Sequence, residues 1–547
     1  MPVRLAEAAS NAYQYPLLIR HLLHTPLATA PTQQIVYRDR VRYDYTEFHR
    51  RIGRLAQALS RLGVESGMTV AVMDWDSHRY LECFFAIPMM GAVLQTVNVR
   101  LPATQLAYTL NHANAEVLLV NQEFLPLLDA IRTDLPALRH VILIADGHTV
   151  TNAPAGVAAE YEDALAAESG DFPFADFDEN AIATTFYTTG TTGHPKGVCF
   201  SHRQLVLHTL ALMGACGSPA YGQSFRHGDV YMPLTPMFHV HAWGNPFVAT
   251  LLGVKQVYPG HYVPADILEL RAREGVTYSH CVPTILQMLL QAADAGSHNL
   301  RGWKICVGGS ALPVGLAHDA LARGIDIYAG YGMSETGPVL AISRLQSATS
   351  LPPTNEEITV RCRTGLPMPL VDIRLIDLDG HVVSGPGRTG EITVRAPWLT
   401  PCYTGNRGAS ESLWDGSYLH TQDVARIDGQ GYLQITDRLK DVIKTGGEWV
   451  SSLDLEAVIS RNPDVLEVAV IGIADPKWGE RPCALVVPRP GADPAPTAES
   501  IRTWVSKAIA AGELPRYALP DRVSIVASLP RTSVGKINKR ALREEFR

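Results

Sequence analysis

The chain has no excess of positive charge. Its 47 lysines and arginines are outnumbered by 54 aspartates and glutamates, for a net charge of −7. A polyanion needs a basic face, so a nucleic-acid partner is disfavoured. ATP is not, because a few cations inside one cleft suffice. Paired cysteines are missing too. The eight cysteines, at 83, 199, 216, 281, 306, 362, 402 and 483, form no C-x-x-C pair and have no histidines at zinc-ligand spacing. This fits a reducing compartment, argues against structural zinc and leaves most of them as small core hydrophobes. Nor is there a long apolar run. The most apolar stretch, residues 84–97, is broken by Pro88, Gly91 and Gln95 and is too short to span a bilayer, so no stable membrane insertion is expected. The opening MPVRLAEAASNAYQYPLL lacks a continuous apolar segment and a cleavage site, and a cytoplasmic location is the expectation. Internal repeats and sustained low-complexity tracts are absent.

What is present is a long, ordinary soluble composition: 547 residues, 46% hydrophobic and 18% charged. That length exceeds one core, so two or more domains are expected. Residues 46–63 show helical spacing, with Thr46 as expected N-cap and Gly63 as stop, and residues 68–73 (MTVAVM) read as a strand. The alternation recurs in ECFFAIPMMGAV, LQTVNV and HANAEVLLV, which predicts α/β architecture with buried sheets. Residues 146–179, loose and polar, are expected to be a surface connection. From about residue 365, VDIRLIDLDGHVV and GEITVRAP read as short strands of a small β unit. DRLKDV at 437–442 interrupts two strand-like segments. Beyond it, LDLEAVISRN, VLEVAVIGIAD, CALVVPRP and IRTWVSKAIAAG suggest a compact α+β domain of roughly one hundred residues.

Residues 187–198, YTTGTTGHPKGV, follow a strand-like run from Ile182 to Tyr187 and close on Lys196. Threonine hydroxyls and glycine amides are short donors that can point together into one concavity, which suits phosphate. The Walker spacing is not met, because Pro195 precedes Lys196 and Gly197 follows it. The whole string resembles the phosphate loop of the adenylate-forming superfamily, which comprises acyl-CoA synthetases, luciferases and the adenylation domains of peptide synthetases.

That resemblance extends over nearly the whole chain and implies an α/β fold. Its large N-terminal adenylation domain (1–436) would have two sheets and the small β unit. A hinge (437–442) and a small mobile α+β domain (443–547) would follow. Thr188, Thr189, Gly190, Thr191, Thr192, Gly193 and the catalytic Lys196 would hold phosphates. YGMSETGP (331–338) resembles the second motif. Tyr331, with Gly332 and Met333, would lie at the adenine, Thr336 at the α-phosphate, and Glu335 would bind Mg²⁺ with Thr188, oxygen ligands suited to that ion. Gly308 and Gly309 of VGGSALP would flank adenine and the acyl carbonyl.

In TQDVARID (421–428), Asp423 would bind the ribose, although Gln422 stands where glycine is usual. A left-handed conformation there would cost about 1 kcal/mol. PCY at 401–403 departs from the commoner Gly-Tyr, with Cys402 expected to pack. In DRLKDVIKTGGEW, Arg438 would also meet the ribose and Lys440 would be the pivot. Lys444, Gly446, Gly447, Glu448 and Trp449 would then serve CoA. Lys536, in LPRTSVGKINKRALRE, would hold the carboxylate and α-phosphate during adenylation.

The segment MPLTPMFHVHAWG (232–244) narrows the branch. Amino-acid-activating relatives place an aspartate after the aromatic, but here His239 follows Phe238. His239 and Trp243 resemble the gate residues of fatty acyl-CoA synthetases. Val240, Val282, Pro283, Thr284 and Ala329 are the expected acyl-pocket residues. The resemblance is nearest to medium- and long-chain fatty acyl-CoA ligases and methylthiopropionate-CoA ligases. It implies an ATP- and CoA-dependent ligase that passes through acyl-AMP and releases AMP and pyrophosphate. Alternatives are an acyl-AMP ligase loading a carrier protein, a luciferase-like oxidase, and a non-catalytic acyl- or nucleotide-binding relative. A homodimer is compatible with the resemblance.

Overall fold

The computed structural model describes residues 3–147, 156–188, 194–219, 221–347, 352–377, 379–492, 494–530 and 537–546. They form two compact units. One comprises residues 1–371 with 396–413; the other comprises 372–395 with 414–547.

The first unit holds two large sheets, as expected. A seven-stranded sheet runs in the order Val157–Glu160, His140–Ile144, Ala115–Asn121, Thr69–Met73, Val93–Thr96, Ile182–Thr188 and Lys196–Ser201. Only its last pair is antiparallel. A nine-stranded sheet has a parallel centre that includes Val230–Pro233, Tyr278–Cys281, Lys304–Val307 and Asp326–Gly332 as successive neighbours. Their apolar residues, Met232, Cys281, Ile305, Val307 and Ile327, are buried in one core with Leu286, Leu289 and Trp303. Chains leaving the carboxyl ends of adjacent parallel strands emerge at the same end of a sheet, where open α/β folds bind ligands.

Two local expectations change. The helix Tyr45–Arg61 is capped by Asp44, whose Oδ1 accepts the Glu47 amide at 2.9 Å, rather than by Thr46. A carboxylate at that position also suits the positive end of the helix. Nor are residues 146–179 wholly a loose connection, since they contain the strand Val157–Glu160 and the helix Tyr161–Ala166. The Glu160 carboxylate caps that helix, and the fully buried Tyr161 donates to Glu82 at 2.6 Å. A distant buried carboxylate, which no local pattern reveals, anchors the segment.

The second unit contains two five-stranded sheets. One joins Asp372–Ile376, Thr389–Arg395, Trp414–Asp415, Tyr418–Ile427 and Leu433–Arg438. The other joins Ile443–Thr445, Glu448–Val450, Val465–Asp475, Gly479–Pro488 and Arg522–Ile525, with the helices Ser452–Ser460 and Ala498–Ala510 covering its core. Residues 437–442 lie inside this unit, between its sheets. There the Ser452 amide donates to Asp437 at 2.6 Å, and Arg543 pairs with Asp441 at 2.8 Å.

Candidate functional site

Thr188 and Lys196 are cross-strand partners at the open end of the Ile182–Thr188/Lys196–Ser201 pair. Thr189, Gly190, Thr191, Thr192 and Gly193, between them, lie outside the described residues. The Lys196 ammonium sits 4.5 Å from the centre of the Tyr403 ring, a cation–π arrangement. The Tyr403 hydroxyl donates to Glu335 Oε1 at 2.6 Å. Burial, then the Glu335 charge, pushes the phenol well above its ordinary range and keeps it a donor. Lys196 and Glu335, remote in sequence, thus converge on a tyrosine to which the sequence motifs give no role. The only cue was its place in PCY.

Glu335 sits in the short turn Ser334–Thr336, directly beyond the strand Asp326–Gly332. At Gly332 a Cβ would lie 1.9 Å from the Pro338 oxygen, so only glycine lets the chain fold back there. Thr336, expected at the α-phosphate, is fully buried, and its hydroxyl accepts the Met333 amide at 3.0 Å and meets the Pro338 oxygen. Here it holds the turn. Glu335 is itself only 7% exposed, and among the described residues no cation forms an ion pair with it. A buried carboxylate with a neutral phenol as its side-chain donor fits a hard divalent cation. Tyr331, 9% exposed, lies near the end of the strand that leads into this turn.

The acyl candidates follow the neighbouring strands. Residues 240–243 have φ of 48°, 54°, 48° and 58°, and Gly244 has 74°. This is one turn of left-handed helix, closed by the bonds Ala242 N to His239 O and Gly244 N to His241 O, both 3.1 Å. Left-handed winding costs L-residues roughly 1–2 kcal/mol each, so the turn persists only because its surroundings hold it. Its entry is clamped by Asp76 Oδ1, which accepts the Met237 amide at 2.8 Å, and by Thr96, which donates to the Phe238 oxygen at 2.9 Å. His241 is fully buried among Phe84, Phe186, Phe200 and Phe247, with neither ring nitrogen hydrogen-bonded. Burial holds its imidazole down to about 3, so it is neutral.

Trp243 packs against His280, ring centres 5.1 Å apart, and a Cβ on Gly308 would meet its indole at 3.0 Å. A Cβ on Gly309 would meet Val282 at 3.0 Å. The structure therefore gathers Trp243, Gly308, Gly309, Val282 and Ala329 at one sheet end. Val240 and Ala329 are buried, Val282 and Pro283 half-buried, and Thr284 and His239 exposed.

In the second unit, Asp423 and Arg438 face each other across two strands and form an ion pair at 2.7 Å. Gln422 has φ 62°, the left-handed conformation for which glycine is usual. Its backbone and side-chain amides donate to Glu391 Oε1 at 3.1 and 3.2 Å, bonds that offset the backbone cost. Gly446 and Gly447, with φ 60° and 84°, form the two-residue turn of a hairpin that pairs Lys444 with Trp449 and Thr445 with Glu448. Two consecutive positive φ angles are what a tight twisted hairpin requires. Lys440 is exposed. Lys536 lies outside the described residues.

Comparison with known proteins gives the chain's family and fold. The family model for AMP-binding enzymes matches residues 23–404, and that for the AMP-binding enzyme C-terminal domain matches 454–536. A long-chain-fatty-acid–CoA ligase from Thermus thermophilus is 42% identical over 510 residues, covering 92% of this chain and 90% of the relative. A 3-methylmercaptopropionyl-CoA ligase from Ruegeria lacuscaerulensis is 36% identical, with 90% of each chain covered. Among solved structures, an anthranilate CoA ligase in complex with anthranoyl-AMP superimposes with TM-score 0.78 at 25% identity, covering 97% of this chain and 98% of that one. ATP-bound MatB from Rhodopseudomonas palustris gives 0.77 at 25% identity, covering 96% and 98%.

Proposed function

The chain belongs to the AMP-binding enzyme family, and on that premise we propose that it is an ATP- and CoA-dependent acyl-CoA ligase. The observation that carries this reading is the convergence of Lys196 and Glu335 on Tyr403, beside a sheet end lined by Trp243 and two close-packed glycines. Relatives at 42% and 36% identity act on long-chain fatty acids and 3-methylmercaptopropionate. The proposed substrate is a medium- or long-chain fatty acid or a related thioether acid, and the proposed location is the cytoplasm. No helix among the described residues is long and apolar enough to cross a membrane.

A carboxylate is a poor acylating agent because oxide would have to leave. Its attack on the α-phosphorus breaks the bond to the β-phosphate, expels pyrophosphate and leaves an acyl-AMP. The CoA sulfur then attacks the acyl carbon, AMP departs with the carboxylate oxygen, and the thiol proton is lost. Two anions must meet in the first step, so cations aimed at the developing charge are required. Lys196, seated on Tyr403, supplies one. Glu335 and Thr188 would hold Mg²⁺, which supplies charge neutralisation at the phosphates when bound. Asp423 and Arg438 orient the ribose. The 437–442 segment, pivoting at Lys440, would exchange the face bearing Lys536 for the hairpin that carries Lys444, Glu448 and Trp449 to CoA.

A pyrophosphate-release screen over short, long, aryl and thioether acids, with and without CoA, tests the reading. AMP and pyrophosphate with a preferred acid, and acyl-CoA only when CoA is present, are expected. ADP, or no nucleotide cleavage with any acid, overturns it. Lys536→Ala should abolish adenylate formation while preformed adenylate still reacts with CoA. Equal loss of both half-reactions counts against the exchange of faces.

A further inference from the structure

His208, on the helix His202–Gly217, belongs to no motif singled out in the sequence, yet it lies between two of them. A Cβ on Gly244, the last residue of the left-handed turn that carries Trp243, would meet its Nδ1 at 2.9 Å and Cε1 at 3.0 Å. A Cβ on Gly337, directly after the Ser334–Thr336 turn that carries Glu335, would meet its Cδ2 at 3.5 Å. Nε2 accepts the Val339 amide at 3.2 Å, and the ring edge meets Trp398 with centres 5.6 Å apart. The residue is 1% exposed, and burial holds its imidazole down to about 3, so it is a neutral, rigid plate. Both glycines have positive φ, 74° and 85°. Gly244 therefore ends too close to the ring for a Cβ, while Gly337 borders its other edge at ordinary contact distance and the Val339 amide is bonded to it.

Close packing of this kind transmits displacement, because interiors have little free volume to absorb it. We propose that His208 is a positioning residue that couples occupancy of the acyl side, through residues 240–244, to the placement of Glu335 on the nucleotide side. The inference rests on the ligase reading and deepens it. An acid that shifts Trp243 shifts Gly244; the ring passes that shift to Gly337 and Val339, whose chain carries Glu335. Coupling between two ligands is reciprocal, so each must alter the other's affinity by the same factor.

The test uses the full-length enzyme, its preferred acid from the screen, and a magnesium complex of an ATP analogue that cannot be cleaved between the α- and β-phosphates. Binding of each ligand is measured with and without saturating amounts of the other. In the wild type, each ligand should tighten the other by the same factor, about five-fold or more. His208→Gln keeps an acceptor for the Val339 amide but loses the flat ring. It should bring that factor close to one while each ligand alone binds within about three-fold of wild type. A merely structural role would change stability or both affinities and leave the factor intact. Wild-type coupling near one, or full coupling in His208→Gln, overturns the proposal. A second measurement on the wild type covers a variant that fails to fold. In amide hydrogen exchange, acid alone should alter protection in residues 331–342, and nucleotide alone in 237–250. Changes confined to each ligand's own segment overturn it too. If no acid supports pyrophosphate release, the ligase reading itself has failed. Turnover without coupling sinks only the role of His208.

Discussion

The Tyr403 hydroxyl donates to Glu335 at 2.6 Å while the face of the same ring carries the Lys196 ammonium at 4.5 Å. One side chain thereby sets both a carboxylate and a cation. The two functions separate by substitution. Tyr403→Phe keeps the ring and loses a hydrogen bond to a charged group, worth about 1.5–3 kcal/mol, so adenylation should slow by about ten-fold or more. Tyr403→Leu also removes the seat of Lys196 and should slow it by a further few-fold. Single-turnover pyrophosphate release reads both. Indistinguishable rates for the two variants would mean that the ring face contributes nothing.

Asp76 holds the Met237 amide with one oxygen and accepts the Tyr262 hydroxyl with the other at 2.5 Å. Burial pushes its carboxyl up to about 7, against an unperturbed value of 3.8. The folded state then binds a proton that the unfolded state releases, so stability falls as pH rises from about 4 to 7, by on the order of 4 kcal/mol. Asp76→Asn should reduce that decline, measured as urea-unfolding midpoints across pH. Asp74, also pushed up by burial, leaves a residual slope. An unchanged profile would place the titration elsewhere.

Glu274 receives Arg42, Lys255 and Arg273 at 2.8, 2.8 and 3.2 Å. Burial alone would push its carboxyl up; Lys255 and Arg42 outweigh it and hold it below the usual range. That stabilisation is complete above the unfolded carboxyl's value and is lost as pH falls through the lower folded one. Glu274→Gln leaves three cations without their shared counterion. Because Arg42 and Arg273 are half exposed, the expected cost is about 1–3 kcal/mol, larger at low salt. Denaturation at two ionic strengths checks it, and a cost independent of salt would argue against an electrostatic origin.

Gly447 has φ 84°, and a Cβ there would meet nothing within 4 Å. Gly447→Ala therefore isolates backbone strain and should destabilise by about 1 kcal/mol, with Gly447→Asn costing less. If the hairpin serves CoA, thioester formation should slow while pyrophosphate release stays unchanged. Parallel loss of both half-reactions would deny the hairpin a separate role.

Much of the site was readable in the chain because its chemistry is local. The strand before the phosphate loop, the Glu335 turn and the Gly-Gly hairpin each sit in a short string whose residue types dictate backbone shape. Gln422 was legible as an anomaly, and its φ of 62° confirms the left-handed position. The Glu391 contacts that support it lie 31 residues away and were not foreseeable. Tyr403 was missed for the same reason. Its partner is 68 residues distant, and Asp76 meets Met237 across 161. The winding of residues 240–243 was hidden more deeply, since valine, histidine, alanine and tryptophan all disfavour it and only Gly244 gives a hint.

Handedness at that turn also bears on engineering. Because the sequence of residues 240–244 does not favour its own shape, grafting it alone into a related scaffold would let it unwind and misplace the indole. If the proposed acyl role of this turn holds, a transplant of substrate preference would have to carry Asp76, Thr96 and His208 as well. By the same reasoning, acid preference would then drift over generations through changes in those supporting side chains, with Trp243 itself left in place.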